Sequence, residues 1–98
     1  MQKQILAICT HEGILETILR LVNNNPEWHA IGASGLEEAK ALLNAEKIDL
    51  VLLGNGLSPE EEKEIMYFAK EVNNQIRLVQ HFGGGSGLLS AEIYGAIA

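Results

Sequence analysis

The sequence predicts an α/β fold, a three-layer αβα sandwich built on a parallel sheet of four strands. Short apolar runs of β-prone residues alternate along the chain with longer segments in which apolar residues recur at helical spacing. The resulting order is βαβαβαβα. This alternation is typical of parallel strands joined by right-handed helical crossovers, with helices on both faces of the sheet.

The composition predicts one small domain. The chain has 98 residues, of which 47% are hydrophobic and 20% charged, which is typical of a globular rather than a disordered chain. We therefore expect a single domain over residues 1–98. A chain cut off before a fifth strand is an alternative that the sequence leaves open. A domain of this size buries a modest share of its surface, so self-association would stabilise it.

Charge and hydropathy exclude several partners. The formal net charge is −6, from 13 acidic and 7 basic residues with no cluster of Lys or Arg along the sequence, so we expect no nucleic-acid partner. No apolar run approaches the roughly 20 residues of a membrane span, and the first is too short for a signal peptide, so we expect no membrane partner. Cys9 is the single cysteine, which suits a reducing, cytoplasmic compartment.

The first half of the chain predicts two strands, each followed by a helix. Residues 5–9 are continuously apolar, as in a strand buried on both faces, and residues 14–22 carry a helical apolar stripe. Residues 28–33 form a weaker strand near an edge of the sheet. Ser34 and Glu37 have the spacing of a capping box, which predicts that Ser34 opens the second helix.

The second half repeats the pattern. Residues 48–53 predict a central buried strand, and Ser58 has the position of a helix N-cap, followed by a proline and three glutamates. Residues 75–82 predict a fourth strand at an edge. Residues 88–97 predict a last helix whose only charged residue is Glu92, and a helix so apolar is expected to meet a partner surface.

In a parallel sheet, the carboxyl ends of all the strands lie along the same side of the sheet, which we call its carboxyl edge. Such folds bind ligands there. We predict the strand order 2-1-3-4. The chain segments that should converge at this edge are residues 9–11, 33–34, 54–55 and 81–82.

Several stretches of this chain resemble response-regulator receiver domains, which have the flavodoxin-like form of this fold. Residues 37–43, 49–53 and 56–58 are similar to the second helix, third strand and following turn of a receiver, and residues 5–9 to its first strand. The resemblance implies a signalling domain of two-component systems. In that family an aspartate ending the third strand accepts a phosphoryl group, and two acids after the first strand hold a divalent cation. A Ser or Thr after the fourth strand and a Lys after the fifth contact the phosphoryl group.

Matched residue by residue, this chain lacks the family's reactive groups. The acid pair is replaced by Cys9 and Thr10, and Gly54 stands at the phosphoacceptor position. The Ser/Thr position falls at His81 or Phe82, and no fifth strand is visible to carry the lysine. The resemblance therefore implies a degenerate phosphorylation pocket made of Cys9, Thr10, Gly54, His81 and Phe82.

We accordingly predict a non-catalytic pseudo-receiver. The chain is not an enzyme, is not phosphorylated on aspartate, and needs no cofactor or metal. Its partners are proteins, and it forms a homodimer through the fourth strand and the last helix, because a missing fifth strand leaves that edge uncovered.

Three other interpretations remain open at this point. Cys9 ends the first strand, as does the phosphorylated cysteine of the B-type domains of sugar phosphotransferase systems, which this chain also resembles. A metal ion could be shared by Cys9, His11 and His81. A glycine-rich loop could bind a small anion at the start of the last helix, through Gly83, Gly84, Gly85, Ser86 and Gly87.

Overall fold

The computed structural model describes residues 3–54 and 56–80. Strands and helices alternate along this part of the chain as predicted. Their bounds are β1 Lys3–Ile8, α1 Glu12–Asn23, β2 Trp28–Ala33, α2 Leu36–Ala45, β3 Leu50–Leu53, α3 Pro59–Val72 and β4 Arg77–Gln80. The predicted glycine loop and last helix lie outside the described residues.

The four strands form one sheet in the order β2-β1-β3-β4, and every neighbouring pair is parallel. This confirms the predicted fold class and strand order. Ile5 of β1 pairs with Ala30 on one side and with Leu50 on the other. The central strands β1 and β3 therefore place their carboxyl ends side by side, which positions the candidate site.

Two apolar layers, one on each face of the sheet, form the core. On one face, Ile18 and Val22 of α1 pack against the side chains of β1 and β3 that lie on the same face of the sheet. On the other face, Leu43 of α2 and Ile65 of α3 pack with the alternate residues of the same strands. All four residues of β3 are buried, because this strand has a helical layer above and below it.

The start of α2 differs from the prediction. The N-cap is Gly35, in an extended conformation (φ −169°) and without a side-chain hydrogen bond to the helix. Because the helix begins one residue later than expected, Ser34 lies outside it and Glu37 is not at the third helical position that a capping box requires. The predicted Ser34–Glu37 capping box is therefore wrong.

The start of α3 follows the prediction. Ser58 is the N-cap, and its Oγ accepts a hydrogen bond from the Glu61 N–H at 3.1 Å. The Glu61 carboxylate in turn accepts from the Ser58 N–H at 3.0 Å, and Pro59 occupies the first turn. This reciprocal pair satisfies two amides that the helix leaves without partners.

Ser58→Ala should lower the free energy of unfolding by about 1 kcal/mol, because it removes the hydroxyl that caps α3. Ser34→Ala is the matched control and should leave stability unchanged within a few tenths of a kcal/mol, since Ser34 is exposed and outside the helix. Urea unfolding followed by circular dichroism measures both. Equal losses in the two variants would contradict the assignment of the caps.

A surface ion pair joins α2 to α3. Lys40 of α2 pairs with Glu64 of α3, and its ammonium lies 5.7 Å from the centre of the Phe68 ring. The hydrogen bond from Lys40 to the Glu64 carboxylate raises the pKa of the Lys40 ammonium above its usual value. These contacts join α2 and α3 at the surface, above the buried apolar residues through which the two helices pack.

Candidate functional site

The carboxyl ends of β1 and β3 meet at one edge of the sheet. Cys9 follows β1 and Gly54 follows β3 directly, and the register pairs Ile8 with Leu53. The Gly54 N–H donates a hydrogen bond to the Ile8 carbonyl oxygen at 2.7 Å, and the Cys9 N–H donates to the carbonyl of Ala33 at 3.0 Å. The three described strand ends that were predicted to converge do so, tied together by backbone hydrogen bonds.

Gly54 is packed too tightly to carry a side chain. A Cβ atom on this residue would lie 2.9 Å from the Ile8 carbonyl oxygen and 3.0 Å from Cys9 Cβ. The first of these neighbours is backbone of the central strand and cannot move without disturbing the β1–β3 ladder. Gly54, which the resemblance matches to the family's phosphoacceptor, thus has no carboxylate and no room for a side chain.

The side chain of Thr10 lies over Gly56, in the loop that follows β3. Gly56 has a φ of +105°, a conformation that residues with a Cβ rarely adopt. The Thr10 Cβ lies 2.8 Å from where a Cβ on Gly56 would be, and the Thr10 Oγ1 is closer still. The loops after β1 and β3 therefore touch, with only backbone on the Gly56 side of the contact.

Cys9 is completely buried, and its thiol is engaged with backbone. The Sγ donates to the His11 carbonyl oxygen at 3.6 Å. His11 is exposed and serves as the N-cap of α1, with its Nδ1 accepting from the Ile14 N–H at 3.2 Å. The capping role of His11 follows only from the structure.

Asp49 lies at the opposite edge of the sheet, as its place at the start of the third strand predicted. Its Oδ2 accepts from the Gln4 N–H at 2.8 Å, and its backbone bonds to Gln4 and to Arg77. The only aspartate of the chain therefore ties the amino ends of β1, β3 and β4 together. Because it lies at the other end of β3, it cannot supply a carboxylate next to Gly54.

A cluster that the sequence did not reveal lies at this amino-terminal edge. Lys3, Lys47 and Arg77 line one cavity of about 290 Å³. These cations are far apart along the chain, so a search for runs of Lys and Arg could not find them. The fold brings them together, with Lys3 in β1, Arg77 in β4 and Lys47 in the loop between α2 and β3.

Several solved structures with a similar fold are receiver domains. A CheY-like response-regulator receiver domain protein from Methanospirillum hungatei is 18% identical and superposes with a TM-score of 0.71, over 93% of this chain and 74% of its own. This chain has the receiver fold. The signal receiver domain of an HD domain-containing protein from Pseudomonas fluorescens is 16% identical, with a TM-score of 0.68 over 99% and 95% of the two chains.

The non-phosphorylated receiver domain of HemR from Leptospira biflexa gives a similar result, with 20% identity and a TM-score of 0.67 over 97% of this chain and 77% of its own. No family model and no curated protein matches the sequence. The fold that the resemblance implied is confirmed, and it rests on three-dimensional similarity rather than on close sequence relationship.

The divalent cation of the receiver family does not fit the residues present here. The resemblance matches the family's two acids to Cys9 and Thr10, which offer a buried thiol and a hydroxyl, whereas Mg²⁺ is held through carboxylate oxygens. Within residues 3–54 and 56–80, no three His, Cys, Asp or Glu side chains are placed to share a metal ion.

Other predicted site residues lie outside the described part of the chain. They are His81, Phe82 and the glycine loop, Gly83, Gly84, Gly85, Ser86 and Gly87. The Cys9–His11–His81 metal site and the anion-binding loop thus stay predictions. In the described part, no helix has the length and apolarity that crossing a membrane requires.

Proposed function

We propose that this chain is a non-catalytic, receiver-like signalling module that is not phosphorylated on aspartate and acts through contacts with other proteins. The observation that carries the proposal is the packing at Gly54, where Ile8 and Cys9 occupy the space a side chain would need. The fold of a phosphoryl-accepting switch is retained without its acceptor.

The surrounding chemistry supports the same proposal. Transfer of a phosphoryl group to a protein needs an exposed nucleophile and a charge partner for the phosphoryl oxygens. The carboxyl edge offers Cys9, Thr10 and Gly54, and of these the thiol is buried and bonded to a backbone carbonyl. Glu12, at the first position of α1, would also repel a phosphate there. Phosphorylation of Cys9 is therefore not the function that this geometry favours.

Incubation with acetyl phosphate and Mg²⁺ tests the proposal. We expect no added phosphoryl group in the intact mass of the protein, because no carboxylate stands at the end of β3. A receiver domain that has its aspartate, treated in parallel, is the positive control. A stoichiometric phosphoryl adduct that hydroxylamine removes would overturn the proposal, and an adduct absent from Cys9→Ala would instead support the cysteine alternative.

An apolar groove between α3 and β4 supports the proposed protein contacts. Met66, Tyr67 and Leu78 line it, with Lys63 and Lys70 also at its surface, and it encloses about 460 Å³. Tyr67 is 75% exposed and its neighbour Met66 is 41% exposed, so together they present apolar surface that a protein partner could cover. β4 pairs with β3 alone among the described strands. We propose that this α3–β4 groove, with residues 88–97, forms a homodimer interface in a cytoplasmic protein.

Tyr67→Glu should shift the protein from dimer to monomer, because it places a charge in the apolar groove. Ile14→Glu is the matched control: it also replaces an exposed apolar residue, on α1 at the other face of the sheet, and should leave the dimer intact. Size-exclusion chromatography with light scattering measures both. A wild-type protein that stays monomeric at high concentration would refute the dimer.

A further inference from the structure

We propose that the amino-terminal edge of the sheet binds a small anion that carries a phosphate group. The cavity at this edge measures about 290 Å³, close to the lower limit of small-molecule sites. It lies at the opposite edge of the sheet from Gly54. Its polar lining consists of Lys3, Lys47, Asp49, Asn73, Gln75 and Arg77.

The charge of the lining carries the inference. The whole chain has a net charge of −6 and only 7 basic residues, yet three of those seven line this one cavity. Asp49 is the only acid among the lining residues, so positive side chains outnumber negative ones by three to one. Within the described part of the chain, none of the three cations forms an ion pair with a carboxylate. Neighbouring positive charges repel one another, and an anion between them relieves that repulsion.

The donors suit phosphate oxygens. Arg77 offers a planar fork of N–H groups, which matches two oxygens of one phosphate, and the two lysines add mobile ammonium groups. Asn73 Oδ1 accepts a hydrogen bond from the Gln75 N–H at 3.0 Å, which leaves the Asn73 amide N–H groups as donors. Ile48 and Ile76 complete the wall with buried apolar surface. Such a site can hold a phosphate and a short organic group attached to it.

The backbone does not supply this attraction. Helices α2 and α3 both run antiparallel to the strands and end at this edge, at Ala45 and Val72, so the negative ends of their dipoles face it. The free carbonyl groups in the last turn of each helix carry partial negative charge, which disfavours an anion nearby. The attraction for an anion must therefore come from the side chains of Lys3, Lys47 and Arg77. Replacing these side chains one at a time tests the proposed site directly.

The direct experiment is a titration of the full chain with inorganic phosphate and with phosphoglycolate, followed by amide NMR at constant ionic strength with chloride as the reference anion. We expect saturable shifts confined to the amides around Lys3, Lys47 and Arg77. Lys47→Gln and Arg77→Gln should each weaken binding about fivefold, the effect of one charge near the ligand in water. Lys63→Gln removes the same charge from the α3–β4 groove and should leave the affinity unchanged.

Asp49→Asn gives an effect of opposite sign. The amide oxygen can still accept the hydrogen bond from Gln4 N–H, while the negative charge in the cavity is lost. We expect phosphate to bind about fivefold more tightly to this variant. Circular dichroism checks that each variant is folded.

Several outcomes would overturn the site. They are shifts that do not saturate, shifts of equal size in wild type and Lys47→Gln, and an equal loss in the Lys63→Gln control. None of these residues lies near Gly54, so the result is independent of the proposed lack of phosphorylation.

Discussion

Gly54→Asp should lower the free energy of unfolding by about 2 to 3 kcal/mol and should fail to create a phosphoacceptor. The added Cβ would lie 2.9 Å from the Ile8 carbonyl oxygen and 3.0 Å from Cys9 Cβ, so the ends of β1 and β3 must separate to admit it. Urea unfolding measures the stability loss, and intact mass after acetyl phosphate treatment measures phosphorylation.

Gly35→Asp is the matched control for this substitution. Gly35 has an extended backbone that any residue adopts, no atom lies within 4 Å of the place where its Cβ would be, and it is the N-cap of α2. An aspartate there can accept hydrogen bonds from the first turn, so we expect stability to stay equal or to rise by a few tenths of a kcal/mol. Equal destabilisation by both substitutions would show that packing at Gly54 is not the cause.

Gly56→Ala should cost about 2 kcal/mol or more, for two separate reasons. The φ of +105° is unfavourable for any residue with a Cβ, which contributes about 1 to 2 kcal/mol. The new methyl group would also collide with the side chain of Thr10, which stands over the glycine. Thermal or urea unfolding of the variant measures the sum.

A double-mutant cycle with Thr10→Gly separates the two contributions. Removing the Thr10 side chain should relieve the collision but not the backbone strain, so Gly56→Ala should cost less in the Thr10→Gly background. The difference between the two costs is the contact energy. Full additivity would contradict the contact between the loops after β1 and β3.

The sequence predicts the fold because each element carries its own local signal. Apolar periodicity separates strands from helices, and Ser58 with Glu61 marks the start of α3 correctly. The same type of signal fails at Ser34, because the helix starts one residue later, with Gly35 as its N-cap. Capping motifs thus predict that a helix begins, with an uncertainty of about one residue in where it begins.

The candidate site is only partly predictable. Cys9 and Gly54 lie side by side because each follows a strand of a parallel sheet. Their positions relative to the predicted strands are enough to expect this. The lack of space for a side chain at Gly54 depends on the exact pairing of Ile8 with Leu53 and on the short hydrogen bond from the Gly54 N–H to the Ile8 carbonyl oxygen. A sequence pattern encodes neither of these. Likewise, the meeting of Lys3, Lys47 and Arg77 depends on strand register and helix length, whereas sequence periodicity reports mainly on apolar residues.

Beryllofluoride with Mg²⁺ tests most directly whether the phosphorylation pocket is closed, because it mimics a phosphoryl group on a receiver aspartate without needing a phosphate donor. We expect the amide resonances of Cys9, Thr10 and Gly54 to remain unshifted across the titration, since these residues offer neither a carboxylate nor space. Saturable, Mg²⁺-dependent shifts at these three amides would contradict the assignment of this chain as a receiver fold without receiver phosphorylation.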